Sequence, residues 1–297
     1  MDNLDIVISS GINTSKLFIL LLFTTILSSI IVIKLNRFIS QYFNIHNSVL
    51  RLINKGVSND EFIPYYQNVY SLTENKFIAA EVLCRWDRNG NILTPNHFIH
   101  QLEQLDSIKT VTLNLIKQAF DDLNSIYPNE KYLLSFNFTV AMILDKPFID
   151  KVINFIENTP NVKNKIIIEL TESDNRFKHL ADIRTVMLRL KEYGVLLSID
   201  DFGTGYSNLL TIQELPFDIM KIDRAFISSQ YAVSNSNMLE MMVSLGKSMN
   251  LLIVVEGVET KKELIRVKDL NVDCCQGFYY SIPSNSEKFK QSLLHIK

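Results

Sequence analysis

Seven short apolar runs, separated by longer stretches of helical period, dominate residues 60–297 and leave few ways to fold them. The runs cover residues 77–83, 132–136, 166–170, 195–199, 217–222, 251–255 and 274–279. Helical patterns fill positions between them, among them 108–123, 149–158, 177–193, 237–249 and 261–270. Short runs with no polar face read as strands buried on both sides, and their alternation with helices predicts parallel βαβ units. Seven or eight such units in about 240 residues predict a closed (β/α)8, TIM-like barrel rather than an open sheet. No internal repeat, low-complexity tract or Pro/Gly-rich linker interrupts this part, so residues 59–297 read as one domain.

The ends of these runs carry the chemistry. The first contains Glu81, and Asn137 follows the second. Glu169 lies just before the end of the third, and Asp200 and Asp201 follow the fourth. Lys221 stands near the end of the fifth, Glu256 follows the sixth, and Gln276 sits inside the last. A barrel gathers the C-terminal ends of different strands at one face, where its active site is built. A lone strand-end acid is ordinarily a cap or a solvated charge. A set of them in one pocket is different, because packed carboxylates repel one another and raise each other's pKa. Divalent cations remove that cost, and hard oxygen donors favour Mg²⁺ or Mn²⁺ over zinc or copper. The five histidines form no HxxxH or HxH pair, and none falls at a strand end.

The pair Asp200-Asp201 adds a constraint. Neighbours on an extended strand point to opposite faces. Where the chain turns into the loop of Gly203, Thr204 and Gly205, both can face the pocket. One can then bridge two ions while the other binds only the second. Two ions about 3.5–4 Å apart suit in-line displacement at phosphorus.

A different pattern opens the chain. Residues 17–33 carry no charge and are flanked by Lys16 and Lys34. At 1.5 Å per residue such a helix is ~25 Å long, enough to span hydrocarbon if the lysines snorkel. A buried core helix would show a polar face, and this stretch offers only Thr24, Thr25, Ser28 and Ser29. A cleaved signal peptide would end on small residues, not on Lys34. A retained transmembrane helix is therefore expected at 17–33. Residues 34–59 hold Lys34, Arg37, Arg51 and Lys55 and no acid, which places the C-terminal side in the cytoplasm. Residues 1–16 are then a short extracytoplasmic N-terminus, and 34–58 a juxtamembrane helix or linker. The apolar positions Leu35, Phe38, Ile39, Tyr42 and Phe43 recur there at helical spacing, a stripe able to pair two copies or lie on lipid.

Charge and cysteine usage narrow the function. Twenty-five basic against 30 acidic residues leave 60–297 at −5, and the whole chain is at −2. Nucleic-acid polymers call for a clustered basic face, so no such partner is expected. Cys84, Cys274 and Cys275 cannot make a disulfide framework, and the adjacent pair lacks CxxC spacing. A reducing, cytosolic address fits the domain that carries them.

At this point the residues resemble a known family, the EAL-domain cyclic di-GMP phosphodiesterases of bacteria. The matching stretches are EVLCRW at 81–86, SFNF at 135–138, IELTES at 168–173 and IDDFGTGYSNL at 199–209. They continue as LPFDIMKIDRAFI at 215–227, VVEGVET at 254–260 and QGFYYSIP at 276–283. The likeness covers about residues 60–290. It implies hydrolysis of one phosphodiester of cyclic di-GMP to linear pGpG. By the family's pattern, Glu81, Asn137, Glu169 and Asp200 hold one Mg²⁺ or Mn²⁺, and Asp200, Asp201 and Glu256 hold the second. Lys221 is implied to hydrogen-bond the attacking water, which makes Glu81, Asp200, Lys221 and Glu256 the catalytic group. Gln67, Leu83, Arg85 and Gln276 are implied substrate contacts. Glu172 is implied to brace the DDFGTG loop, and Glu259 the loop after its own strand. Val82 replaces the signature alanine, and Asn68, beside Gln67, replaces a frequent proline, a change that points to a looser loop at the guanine pocket. The expected protein is a single-pass enzyme of the bacterial inner membrane with a cytoplasmic catalytic domain. A homodimer is expected, through the loop after Asp201 or through the anchor. The alternative is a catalytically silent receptor or interaction module on the same fold.

Overall fold

The computed structural model describes residues 14–125, 131–171, 179–203, 209–227 and 235–294. The chain divides into two compact units, Met1–Ile53 and Asn54–Lys297. The first is a helix, α1, which runs unbroken over Thr14–Ser58 and crosses the division. The expected transmembrane and juxtamembrane segments are thus one continuous helix, because no proline or glycine interrupts residues 14–55. Within it, Phe18–Arg37 has a mean hydropathy of 2.5 and none of it is buried. That segment is long and apolar enough to cross a membrane.

The second unit is a closed eight-stranded barrel wrapped by helices. In chain order it holds strands β1 (Phe62–Ser71), β2 (Lys76–Arg88) and β3 (Asn91–Leu93). Helices α2 (Ile99–Leu102) and α3 (Ile108–Asn124) precede β4 (Leu133–Phe138). Then come α4 (Val140–Leu144), α5 (Lys146–Asn158), β5 (Ile166–Thr171), α6 (Leu180–Glu192) and β6 (Leu196–Phe202). The chain continues through α7 (Leu209–Glu214), β7 (Ile219–Ile222), α8 (Asn235–Ser248) and β8 (Leu252–Val255). It ends with α9 (Lys261–Asp269), β9 (Cys274–Gln276) and α10 (Ser286–Leu294).

The strands run β1-β9-β8-β7-β6-β5-β4-β2, and a β1–β2 pairing closes the ring; β3 is an outer hairpin on β2. From β2 and β4 round to β9 the barrel pairs are parallel, as the βαβ pattern predicts. The closure departs from it. β1 is antiparallel to both β2 and β9, so the eighth strand joins by a hairpin rather than a crossover helix. Its sequence, FIPYYQNVYS, contains Pro64, Gln67 and Asn68, which hide it from a search for apolar runs. The last run is also shorter than expected: β9 stops at Gln276, and residues 277–280 turn away.

Local sequence explains the outer helices. The Asp145 side chain accepts from the Phe148 amide and starts α5, whose Phe148, Ile149, Val152, Ile153 and Ile156 face inward at helical spacing. Thr260 and Glu263 form a reciprocal capping box that starts α9. The main core lies between strands and helices, around Phe120, Leu134, Met187, Leu197, Met220 and Ile253. A smaller apolar cluster, Val69, Ala79, Ile167, Ile219, Val254 and Cys274, fills part of the bore.

Candidate active site

Seven barrel strands each contribute a polar group to a layer at the upper end of the bore, and the residue after the eighth joins them. β1 gives Gln67, β2 Glu81, β4 Asn137, β5 Glu169, β6 Asp200, β7 Lys221 and β9 Gln276, while Glu256 follows β8 directly. Strand register sets two neighbouring pairs directly opposite each other. Gln67 lies opposite Glu81, and Asn137 opposite Glu169. The Glu256 amide donates to the Ile222 carbonyl at 2.9 Å, which extends the β7–β8 pairing by one residue.

Lys221 stands at the centre. Its Nζ lies 2.6 Å from Glu256 Oε1, 2.9 Å from Glu169 Oε2, 3.1 Å from Asp200 Oδ1 and 3.6 Å from Glu81 Oε2. Glu81 is tied further. Asn137 Nδ2 donates to its Oε1 at 2.9 Å, and Gln276 Nε2 to its Oε2 at 2.9 Å. Gln276 also donates to Gln67 Oε1 at 3.1 Å.

Asp200 and Asp201 both reach this side because β6 is bent. Asp201 takes φ +54°, and the β6–β7 register slips between Ile199 and Phe202. The Asp201 amide then donates to Asp200 Oδ1 at 3.0 Å. Oxygens of Asp200, Asp201 and Glu256 lie within 4.8 Å of one another. The left-handed residue is the device that defeats strand alternation and brings adjacent aspartates together.

Burial and crowding shift the titrations. Burial, joined by the charges of Glu81 and Asp200, holds Glu169 well above the usual carboxylate range despite Lys221. Burial first, with Asp200 and Glu81 adding to it, pushes Glu256 up to about 8 against the pull of Lys221. Burial and the Asp200 and Asp223 charges push Asp201 up to about 6. Glu81 goes the other way: burial raises it, but the Lys221 charge and hydrogen bonds from Gln276 and Asn137 prevail and lower it. Lys221 is buried, which alone would lower its pKa, yet Asp200, Glu169, Glu256 and Glu81 raise it well above the ordinary lysine value.

These residues fit hard divalent cations. Five carboxylates face one ammonium, and Lys221 cannot balance them alone. Gln276 Oε1 is buried without a hydrogen-bond partner, an acceptor available to a cation or a donor. The donor set is oxygen throughout, the type preferred by Mg²⁺ and Mn²⁺.

The remaining predicted residues fall around this layer. Leu83 and Arg85 continue along the same face of β2 as Glu81. The Arg85 guanidinium lies over the Tyr65 ring at 5.3 Å and donates to the Cys84 carbonyl at 2.9 Å. Glu259 is not in the layer; its Oε1 is 3.5 Å from Arg224 Nη1, joining the loops after β8 and β7. Glu172, Thr204 and Gly205 lie outside the described residues. Asn68 is hydrogen-bonded to its surroundings. It is buried, its amide donates to Ser281 Oγ at 3.0 Å, and its Nδ2 donates to Ser292 Oγ at 3.1 Å. Its Oδ1 accepts from the Tyr132 hydroxyl at 2.9 Å.

Two groups escaped sequence reasoning. Tyr65 sits two positions before Gln67 on β1, and only the cross-strand pairing reveals its contact with Arg85. Ser281 accepts from Gln67 Nε2 through its carbonyl at 3.2 Å. Gly277 makes the turn beneath it possible. With φ +157°, an added Cβ there would lie 2.2 Å from the Val258 carbonyl oxygen and 2.4 Å from its nitrogen.

Comparison with known proteins adds the family. A model of the EAL domain matches residues 50–283. The Escherichia coli K12 protein named "Probable cyclic di-GMP phosphodiesterase PdeG" is 29% identical over 249 residues, covering 82% of this chain and 49% of PdeG. Cyclic di-GMP phosphodiesterase PdeL of the same organism is 29% identical over 262 residues, 86% of this chain and 71% of PdeL. The chain thus spans about half the length of PdeG and rather more of PdeL. The structure of the PaMucR phosphodiesterase in its c-di-GMP complex superposes with a TM-score of 0.73 at 27% identity. That match covers 82% of this chain and 99% of PaMucR's. With the family model covering most of its length, the chain belongs to the EAL domain family.

Proposed function

We propose that this chain hydrolyses cyclic di-GMP to linear pGpG with two divalent cations, Mg²⁺ or Mn²⁺, while anchored in the bacterial inner membrane by α1. The observation that carries the reading is the buried layer in which Lys221 touches Glu81, Glu169, Asp200 and Glu256. Family membership and the phosphodiesterase names of the relatives support it. Glu81, Asn137, Glu169 and Asp200 would hold one ion, and Asp200, Asp201 and Glu256 the other. When bound, the cations supply Lewis acidity at the scissile phosphate and at the attacking water.

The protein's own groups do the rest. Lys221 orients the water, and Asp200 takes its proton as the oxygen adds to phosphorus. The bond from phosphorus to the ribose 3′ oxygen breaks, and that oxygen leaves as a hydroxyl by taking the proton that Asp200 accepted. Arg85, held over Tyr65, meets phosphate charge; Gln67, Leu83 and Gln276 line the approach. Glu172 would brace the DDFGTG loop, and Glu259 would serve the loop after its own strand. The excess of Lys34, Arg37, Arg51 and Lys55 after the apolar segment of α1 puts the barrel in the cytoplasm. Homodimerisation completes the expected assembly.

The test is turnover of cyclic di-GMP by the full chain in detergent, with nucleotides separated by chromatography. Appearance of pGpG with Mg²⁺ or Mn²⁺, and its loss in EDTA, is the expected result. Binding without product in both metals would assign the chain to the silent-receptor class instead.

A further inference from the structure

The barrel has a second concavity at the end opposite the carboxylate layer. A cavity of about 180 Å³ enters the bore among the first residues of several strands, including Leu133, Leu196, Ile219, Leu252 and Cys274. It ends against the undersides of Glu169 and Lys221. Barrel bores are ordinarily filled by layers of bulky branched side chains. Here the lining includes the small side chains of Ala79, Ser135, Ser198 and Cys274, which leave space unfilled. Leu252, which lines the cavity, is 38% exposed, so that end of the cavity lies at the protein surface.

An unpaired polar group lies near the inner end, beside Glu169 and Lys221. Ser198 is fully buried, and its Oγ has no hydrogen-bond partner. It lies on β6 two residues before Asp200, on the bore side, and lines the cavity. A buried hydroxyl left unpaired is costly, and native proteins satisfy nearly all of them. Most of the wall is hydrocarbon, which suits an apolar body better than a cluster of waters. Apolar cavities of ~150 Å³ take up molecules the size of benzene.

We propose that the lower bore is a binding site for a small molecule with an apolar body and one hydrogen-bonding head, about the size of phenol. The head pairs with Ser198 Oγ, and the body lies among Val69, Ile167, Ile219 and Val254. The site is reached from the face opposite the substrate's and does not depend on the proposed activity.

The test is methyl NMR of the full chain in detergent, titrated with phenol. Saturable shifts of the Ile167, Ile219 and Val254 methyls are expected, with benzene binding several-fold more weakly. Ser198→Ala should raise the half-saturation concentration for phenol several-fold, and Ala79→Leu, which fills the cavity, should abolish saturation. Should Ala79→Leu fail to fold, Ser198→Ala decides alone, since it removes one oxygen and no packing. Absent or linear shifts, equal saturation in Ser198→Ala, or a phenol-soaked crystal with only ordered water in the bore would overturn the proposal. Because binding is read without turnover, its failure leaves the phosphodiesterase reading untouched.

Discussion

Lys221 shows how one residue can hold a site together before any cation arrives. It is buried and in contact with four carboxylates, of which Glu81 is held in its charged form, so its loss leaves a buried charge without its counterion. Removing one partner of a buried ion pair costs ~3–5 kcal/mol. Lys221→Met should therefore cost stability of that order in EDTA, and Mn²⁺ should restore part of it; melting in both buffers reads the difference. A variant as stable as the parent in EDTA would show that the carboxylates are not charged around Lys221.

The carboxyl groups give a pH signature. Without cations, Glu256 titrates near 8 and Asp201 near 6, and Glu169 is raised as well. Each therefore binds its proton more tightly folded than unfolded. Their stabilisation is complete below the ordinary carboxylate pKa and is lost as pH rises through the raised values. In EDTA, stability should fall between about pH 5 and 8, with melting temperature as the measure. Ligands must be deprotonated to bind a metal, so Mn²⁺ should stabilise most at the upper end of that range. Stability that climbs with pH in EDTA would contradict these assignments.

Elements differ in how plainly the sequence announces them. The seven runs of 77–83 through 274–279 are visible because a parallel strand inside a helical shell is apolar on both faces. β1 is not, since Gln67 lies on its bore side and Pro64 and Asn68 break its apolar character. Strand-end acids were legible as a set, because barrel topology alone brings strand ends together. Asp201's left-handed backbone and Tyr65's ring over Arg85 were not, because each depends on register rather than spacing. The turn after β9 makes a further test. Gly277→Ala drives a Cβ into the Val258 backbone, where no flexible side chain can yield. A loss of at least ~1 kcal/mol is expected, since alanine is strained at positive φ even without a clash. Gln276 should be displaced with the turn, so affinity for cyclic di-GMP should drop as well. Unchanged stability and affinity would mean that the turn relaxes independently of Gln276.

At the scale of the whole molecule, two designs share one chain. Residues 18–37 present apolar surface on every side, as a lipid-facing helix does, while residues from Asn54 onward build their own core. A phosphatase reporter that works only outside the cytoplasm should stay inactive when fused after Lys297, and a cytoplasmic reporter should be active. The opposite pattern would reverse the orientation drawn from Lys34, Arg37, Arg51 and Lys55.

The central claim is that oxygen side chains at one rim of the barrel hold two cations. Anomalous diffraction from Mn²⁺-loaded crystals tests it most directly. Two peaks are predicted, one touching Glu81, Asn137, Glu169 and Asp200, the other touching Asp200, Asp201 and Glu256. A saturated crystal with no peak among these residues, or with its manganese elsewhere, would contradict the account.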